Sequence, residues 1–175
     1  MGLKESGLRG SLRNVSVGID AIPDSLLTRD DDNTDSTGTV EAGVIFDLSE
    51  PWPDRFDIEL STGGDVAFTE ARIRKESDKS IVGNKDISDK SGGDQVAIPL
   101  DEDLQADKDY TIGLATDGTA DVGALDNVDY PVSSDDDVIE AKTGIRLDVD
   151  DGSTISTDSD RFWAIKQMGN LGLSL

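Results

Sequence analysis

The stretch Val66-Ala67-Phe68-Thr69-Glu70-Ala71-Arg72-Ile73-Arg74 decides the fold class. Read as an extended chain, it places Val66, Phe68, Glu70, Arg72 and Arg74 on one side and Ala67, Thr69, Ala71 and Ile73 on the other. Tyr110–Ala115 repeats the pattern, with Tyr110, Ile112 and Leu114 on a shared face. So does the stretch ending at Val149, where Ile145, Leu147 and Val149 align. This period of two is what a half-buried antiparallel strand requires.

Working outward, strand-like runs fall at Leu12–Ile19, Thr39–Leu48, Phe56–Leu60, Val66–Arg74, Gln95–Leu100, Tyr110–Ala115, Val138–Val149 and Phe162–Met168. Between them lie spacers rich in Gly, Asp, Ser and Asn: Asp30–Gly38, Ser61–Asp65, Ser88–Asp94, Thr116–Asp121, Ser133–Asp137 and Asp150–Ser159. Glycine supplies positive φ there, and Asp or Asn side chains bond nearby backbone. No window carries a sustained helical stripe, and Leu100–Ala106 is expected to form one helical turn at most. The expectation is an all-β chain: an antiparallel β-sandwich of jelly-roll type with an extended N-terminal arm. Residues 1–25 read as arm, strand and hinge, with Pro23 disfavouring a central strand. Residues 26–168 read as the sandwich and 169–175 as a C-terminal tail.

The charge balance points to an environment. There are 38 acidic side chains against 16 basic ones, a net charge of -22, and thirty of the acids are Asp. Such a surface repels itself in dilute buffer. At 1 M salt the Debye length falls to about 3 Å and the repulsion is largely screened. The composition therefore matches the salt of an extreme halophile. The acidity argues against nucleic acid and against anionic membranes as partners. Cysteine and histidine are both absent, which removes disulfides, thiolate chemistry and Ser–His or Cys–His nucleophilic systems. No enzymatic activity is expected. Residues 1–6 have no apolar core of the signal-peptide kind. The expectation is a protein that stays in the cytoplasm or leaves the cell inside an assembly.

Candidate sites are few. Asp148, Asp150 and Asp151 precede Gly152 and resemble the start of a calcium loop; oxygen ligands suit Ca2+ or Mg2+, although position 159 is Ser where an EF-hand has Glu. No cofactor is required by this reading, and solvated halophilic loops explain the same residues. Trp52, held between Pro51 and Pro53, and Tyr130, before Pro131, are candidate glycan contacts; Trp52 equally suits a plug at the sandwich end. Asp57 and Glu59 alternate on one strand and read as a charged outer face. Leu12, Val15, Ile22, Leu171, Leu173 and Leu175 are apolar groups that one sandwich would struggle to bury. They are expected at contacts between copies of the chain, in a homo-oligomer such as a trimer.

Three segments together resemble a known family. Ser11-Leu12-Arg13-Asn14, then Ala21-Ile22-Pro23-Asp24-Ser25 and Arg29, is similar to the lead-in of small fibre-like structural proteins of tailed viruses of halophilic archaea. Ala71-Arg72-Ile73 through Pro99-Leu100 to Tyr110-Thr111-Ile112 is similar to carbohydrate-binding-type jelly rolls. Phe162-Trp163-Ala164-Ile165, ending in Gly169-Asn170-Leu171-Gly172, resembles their closing strand. The resemblance implies a virion structural protein, with a tail-fibre or host-attachment module as its first form. A capsid spike, turret or decoration protein is the alternative, and a cellular carbohydrate-binding module a further one. It implies other virion proteins as partners, and a host cell-surface glycoprotein as a target.

The charge reading makes a direct prediction. Dialysis from about 3 M KCl into dilute buffer at neutral pH should unfold the protein, because repulsion is then no longer screened. A melting temperature that stays the same across that range, monitored by circular dichroism, would contradict it.

Overall fold

A computed structural model describes residues 21–29, 33–36, 40–61, 68–116 and 121–175. The expected strand Leu12–Ile19 lies outside the described residues. Among the described residues there are strands and no helix. The first half contains β1 (Leu26–Thr28), β2 (Asn33–Ser36), β3 (Glu41–Leu48), β4 (Arg55–Leu60), β5 (Phe68–Lys75), β6 (Ile81–Asp86) and β7 (Gln95–Pro99). The second contains β8 (Tyr110–Thr116), β9 (Asp121–Asp126), β10 (Val132–Ser133), β11 (Ile139–Leu147), β12 (Thr154–Asp158), β13 (Arg161–Trp163) and β14 (Ile165–Gly169).

The strands pair antiparallel throughout and form a β-sandwich. One sheet has the order β1-β14-β4-β7. The larger runs β10-β11-β3-β8-β5-β6, with β12 also beside β11, and a small sheet runs β13-β9-β2. The alternation explains the packing. Ala42, Val44, Phe46 and Leu48 of β3 and Tyr110, Ile112 and Leu114 of β8 all turn into one core. Phe46 meets Phe56 of the facing sheet with ring centroids 5.2 Å apart. Each large apolar side chain, fully buried, contributes about 1.5–3 kcal/mol. Gly43 lies where β3 and β8 approach too closely for a side chain; a Cβ there would sit 1.8 Å from the Ile112 carbonyl oxygen.

Bulges decide which residues turn inward. In β11 the register steps from Ala141 opposite Phe46 to Thr143 opposite Ile45, so Lys142 is extra. An extra residue flips the remainder of its strand to the other face. Ile139 and Ala141 therefore join the core, while Ile145 and Leu147 are buried on the outer face opposite Gly43 and Glu41. In β5 the step falls between Phe68 and Glu70. Phe68 thus packs inward with Ala71 and Ile73, although strict alternation groups it with Glu70, Arg72 and Arg74.

That outer face carries a buried ionic cluster. Glu41, fully buried, reaches across β8 over Gly113, where a Cβ would sit 2.6 Å from its Cγ. Arg74 donates to its carboxylate through Nε at 3.1 Å and Nη2 at 3.0 Å. Arg72 Nη1 adds a contact at 3.3 Å to Glu41, and Arg72 also pairs with Glu70 at 2.7 Å. The remaining donors hold loops: Arg72 Nη1 donates to the Val149 carbonyl at 2.6 Å, and Arg74 Nη1 to that of Lys79 at 3.0 Å.

Several local expectations are corrected. Phe162–Met168 is two strands, because Ala164 takes φ 61° and turns the chain from the small sheet into the sandwich. Leu100–Ala106, expected to form one helical turn at most, forms none, within that expectation; Leu100 bridges Gly83 and Leu104 bridges Trp52. The spacers Asp30–Gly38 and Asp150–Ser159 contain β2 and β12, and β6 carries no clear alternation in the sequence.

Candidate functional site

Among the described residues, an open cleft of about 720 Å³ lies at one end of the large sheet. Three pieces of chain build it: the turn after β5 (Lys75–Ser77), the crossover 102–109, and Lys142 on β11. The bulge is what frees Lys142, since the extra residue has no partner on β3. Its ammonium lies 2.8 Å from Asp47 and 2.7 Å from Asp109. Hydrogen bonds to Asp109 and then Asp47 hold the Lys142 ammonium above the ordinary lysine range. Lys75 is raised likewise, chiefly by its hydrogen bond to Glu102. Tyr110 forms the floor; it is buried, and its hydroxyl accepts from the Gln105 backbone N–H at 2.8 Å. Asp103, Asp107 and Lys108 stand exposed on the lip. The arrangement sets charges of both signs around the edge of Tyr110.

A second constellation joins the two ends of the described chain. Asp57 is buried, not part of a charged outer face as its alternation with Glu59 implied. Its Oδ2 accepts from the backbone N–H of Leu171 at 3.0 Å and of Leu173 at 3.3 Å, and its Oδ1 from Arg55 Nε at 3.0 Å. Gly172, at φ +73°, provides the bend between those two amides. Asn170 donates its N–H to the Ser25 carbonyl at 2.8 Å and its Nδ2 to that of Pro23 at 3.1 Å. Residues 23–25 and 170–173 therefore run together. Leu171 and Leu173 are half-buried along this track, Leu175 is 73% exposed, and Ile22 packs half-buried against the core. Leu12 and Val15 lie outside the described residues.

The other candidates take these places. Trp52 is 0% exposed: its ring packs on Phe56 at 5.0 Å, and its Nε1 donates to the Arg55 carbonyl at 2.8 Å. It offers no face to a sugar, because the bridge to Leu104 folds it into the sandwich end. Tyr130 is half-buried, stacks on Phe162 at 6.3 Å and donates its hydroxyl to the Arg161 carbonyl at 2.6 Å. Burial pushes its hydroxyl well above the ordinary tyrosine range. Asp148 and Asp151 turn carboxylate oxygens onto their own loop: Oδ1 of Asp148 accepts from the Asp150 N–H at 2.9 Å, and Oδ1 of Asp151 from the Ser153 N–H at 2.7 Å. The Ser153 hydrogen bonds hold Asp151 below the usual carboxylate range. Among the described residues no cluster of three or more acidic groups has the spacing to hold a metal ion.

Sequence reasoning misses Lys142, Glu41 and Asp57. Glu41 and Asp57 sit in alternating strands where an acid reads as solvent-facing, and the only signal at Lys142 is a cation inside a strand of a strongly acidic chain. No protein-family model matches this chain, and no curated protein is significantly similar to it. The class defined by the structure is an antiparallel β-sandwich whose described N-terminal and C-terminal segments are bound to each other.

Asp57→Ala should cost about 1–3 kcal/mol, since it strips two half-buried amides and Arg55 of their buried acceptor. Amide exchange at Leu171 and Leu173 should rise in the same variant. Unchanged exchange at those two amides would show that the carboxylate does not hold the tail.

Proposed function

We propose that this chain is a virion structural protein of a tailed virus of halophilic archaea, a tail-fibre or host-attachment module. The observation that carries the reading is the role of Ile22–Arg29, the residues on which the family resemblance rests most. They tie the start of the described chain into the sandwich. Ser25 is buried and donates to Asp136 at 2.8 Å, and Pro23 receives Asn170. Arg29, also buried, lies 5.3 Å over the Phe162 ring and donates through Nε to the Ile165 carbonyl. In the resembling proteins a short Ile-Pro-Asp-Ser stretch with a following Arg precedes a β-sandwich module, and here the same residues are anchored in one. The jelly-roll class and self-association are part of the same proposal, as are other virion proteins and a host surface glycoprotein as partners.

The disposition of the rings weighs against a carbohydrate-binding module. Six of the eight aromatic residues, both Trp and all four Phe, are buried, as is Tyr110, and Tyr130 stacks inward on Phe162. Stacking on a sugar needs an exposed ring face.

An antibody against the recombinant chain, used for immunogold labelling of purified haloarchaeal virus particles whose genome encodes it, tests the reading. Label on the tail tip or fibres is expected. Label on the head would replace the tail assignment with a capsid spike or decoration protein. Particles without label, with the chain missing from their peptide mass spectra, would overturn the virion reading.

A further inference from the structure

Gly152-Ser153-Thr154-Ile155-Ser156-Thr157 carries no charge, in a chain where 31% of residues are charged. The uncharged run Tyr110–Thr116 is a buried strand. This one is exposed at Ser153, Thr154, Ile155 and Thr157. Its last four residues, with Asp158, form β12, which among the described residues pairs with β11 alone. Asp158 is engaged: its Oδ2 accepts from Trp163 Nε1 at 2.8 Å and lies 3.5 Å from Arg146 Nε. Ser156 opposes Arg146 and Thr154 opposes Leu147, so Ile155 is the extra residue of a bulge. It stands 54% exposed, while Ile145 on the neighbouring strand is buried.

Edge strands present unpaired backbone N–H and C=O groups, and natural sheets guard them with charge, proline or brevity. The other strands that end a sheet follow this rule. β1 and β10 have three and two residues, and β13 has three with Arg161 among them. β7 ends in Pro99, β6 carries Lys85 and Asp86, and β2 carries Asp35. β12 has its bulge and nothing else. Beside it, Arg146 and Arg161 lie 5.6 and 5.2 Å from the ring of Trp163, and each is about a third exposed. Arginine is enriched and acids are depleted where proteins meet.

A partner of opposite sign would be met by the acids of the remaining surface. A strand cleared of charge is what a partner as acidic as this chain requires. Like charges set against each other at contact cost affinity even where salt screens them at a distance. A second copy, with the same net charge of -22, is such a partner. We infer that two copies meet edge to edge at β12 about a two-fold axis, Ile155 of each packing on the β12 of the other. A two-fold contact uses the same patch on both copies, so one uncharged strand serves both sides. The inference rests on the self-association in the reading above and names its surface.

Sedimentation velocity of the full chain at micromolar concentrations in about 3 M KCl tests it. The parent is expected to dimerise. Ile155→Asp should weaken the dimer at least ~tenfold, by placing like charges at the contact. Ile81→Asp is the matched control, the same change at an exposed isoleucine of β6 on the opposite edge of the large sheet, and should leave the dimer unchanged. The absence of native cysteine allows a second readout. Exposed Thr157→Cys should oxidise to a linked dimer at least ~tenfold faster than exposed Ser88→Cys, which follows β6, because the contact raises the effective concentration. Adding Ile155→Asp should remove that difference, with the strand signal in circular dichroism unchanged. A dimer that Ile155→Asp leaves intact, or that Ile81→Asp weakens as much, would overturn the inference and leave self-association standing. Equal disulfide rates would do the same. A parent that stays monomeric would overturn both, and the labelling of virus particles would still decide the virion reading.

Discussion

The rest of the structure depends on one carboxylate, that of Glu41. It is buried on the outer face of the large sheet, crosses β8 at a width that only a glycine allows, and is clamped by Arg74 and Arg72. Through those two guanidinium groups it ties β3 to β5, the β5–β6 turn through the Lys79 carbonyl, and the β11–β12 turn through the Val149 carbonyl. Gly152 lies against Arg74 so closely that a Cβ would sit 2.9 Å from Nη1. The acidic turn Asp148–Ser153 is therefore the cover of this cluster. Breaking such a buried pair by removing one partner costs about 3–5 kcal/mol, because the remaining charge is left without compensation.

Two electrostatic regimes coexist in the chain. The surface carries the excess of acids and depends on salt for tolerance of its own repulsion. The Glu41 cluster is out of reach of salt. Between these extremes the acids of the turns serve as local caps. Asp78, Asp86 and Asp151 each accept the backbone N–H of a serine two residues on, at 3.0, 2.9 and 2.7 Å. Those serine hydrogen bonds hold all three below the ordinary aspartate range. Of the two acids the shorter Asp closes this turn readily and Glu does not, which gives the preference for Asp over Glu a structural reason beside its charge.

Much of the architecture was legible because period-two alternation reports burial on one face directly. The strands β3, β5, β8 and β11 are read near their ends, and Tyr110, Ile112 and Leu114 share the core as expected. The features that escaped had physical causes. A bulge such as that at Lys142 leaves no mark in composition, yet it reverses Ile145 and Leu147. The φ of 61° at Ala164 is one that only tertiary packing imposes on an alanine. Of the site, Trp52 between prolines gave no sign that a bridge to Leu104 would bury it, and the tail's apolar residues gave no sign of the carboxylate that holds their amides. Polar groups buried for structural ends look, in a sequence this acidic, like one more solvated charge.

The division between salt-dependent surface and salt-independent cluster is the central claim. Its most direct test is the unfolding free energy of the parent and of Glu41→Gln, by chemical denaturation with urea at about 1, 2 and 4 M KCl. The parent should gain stability steadily as salt rises. The deficit of Glu41→Gln should stay constant across the series, because the charges it disturbs lie beyond the reach of ions. A deficit that shrinks with rising salt, as it would for an exposed pair, would contradict the account.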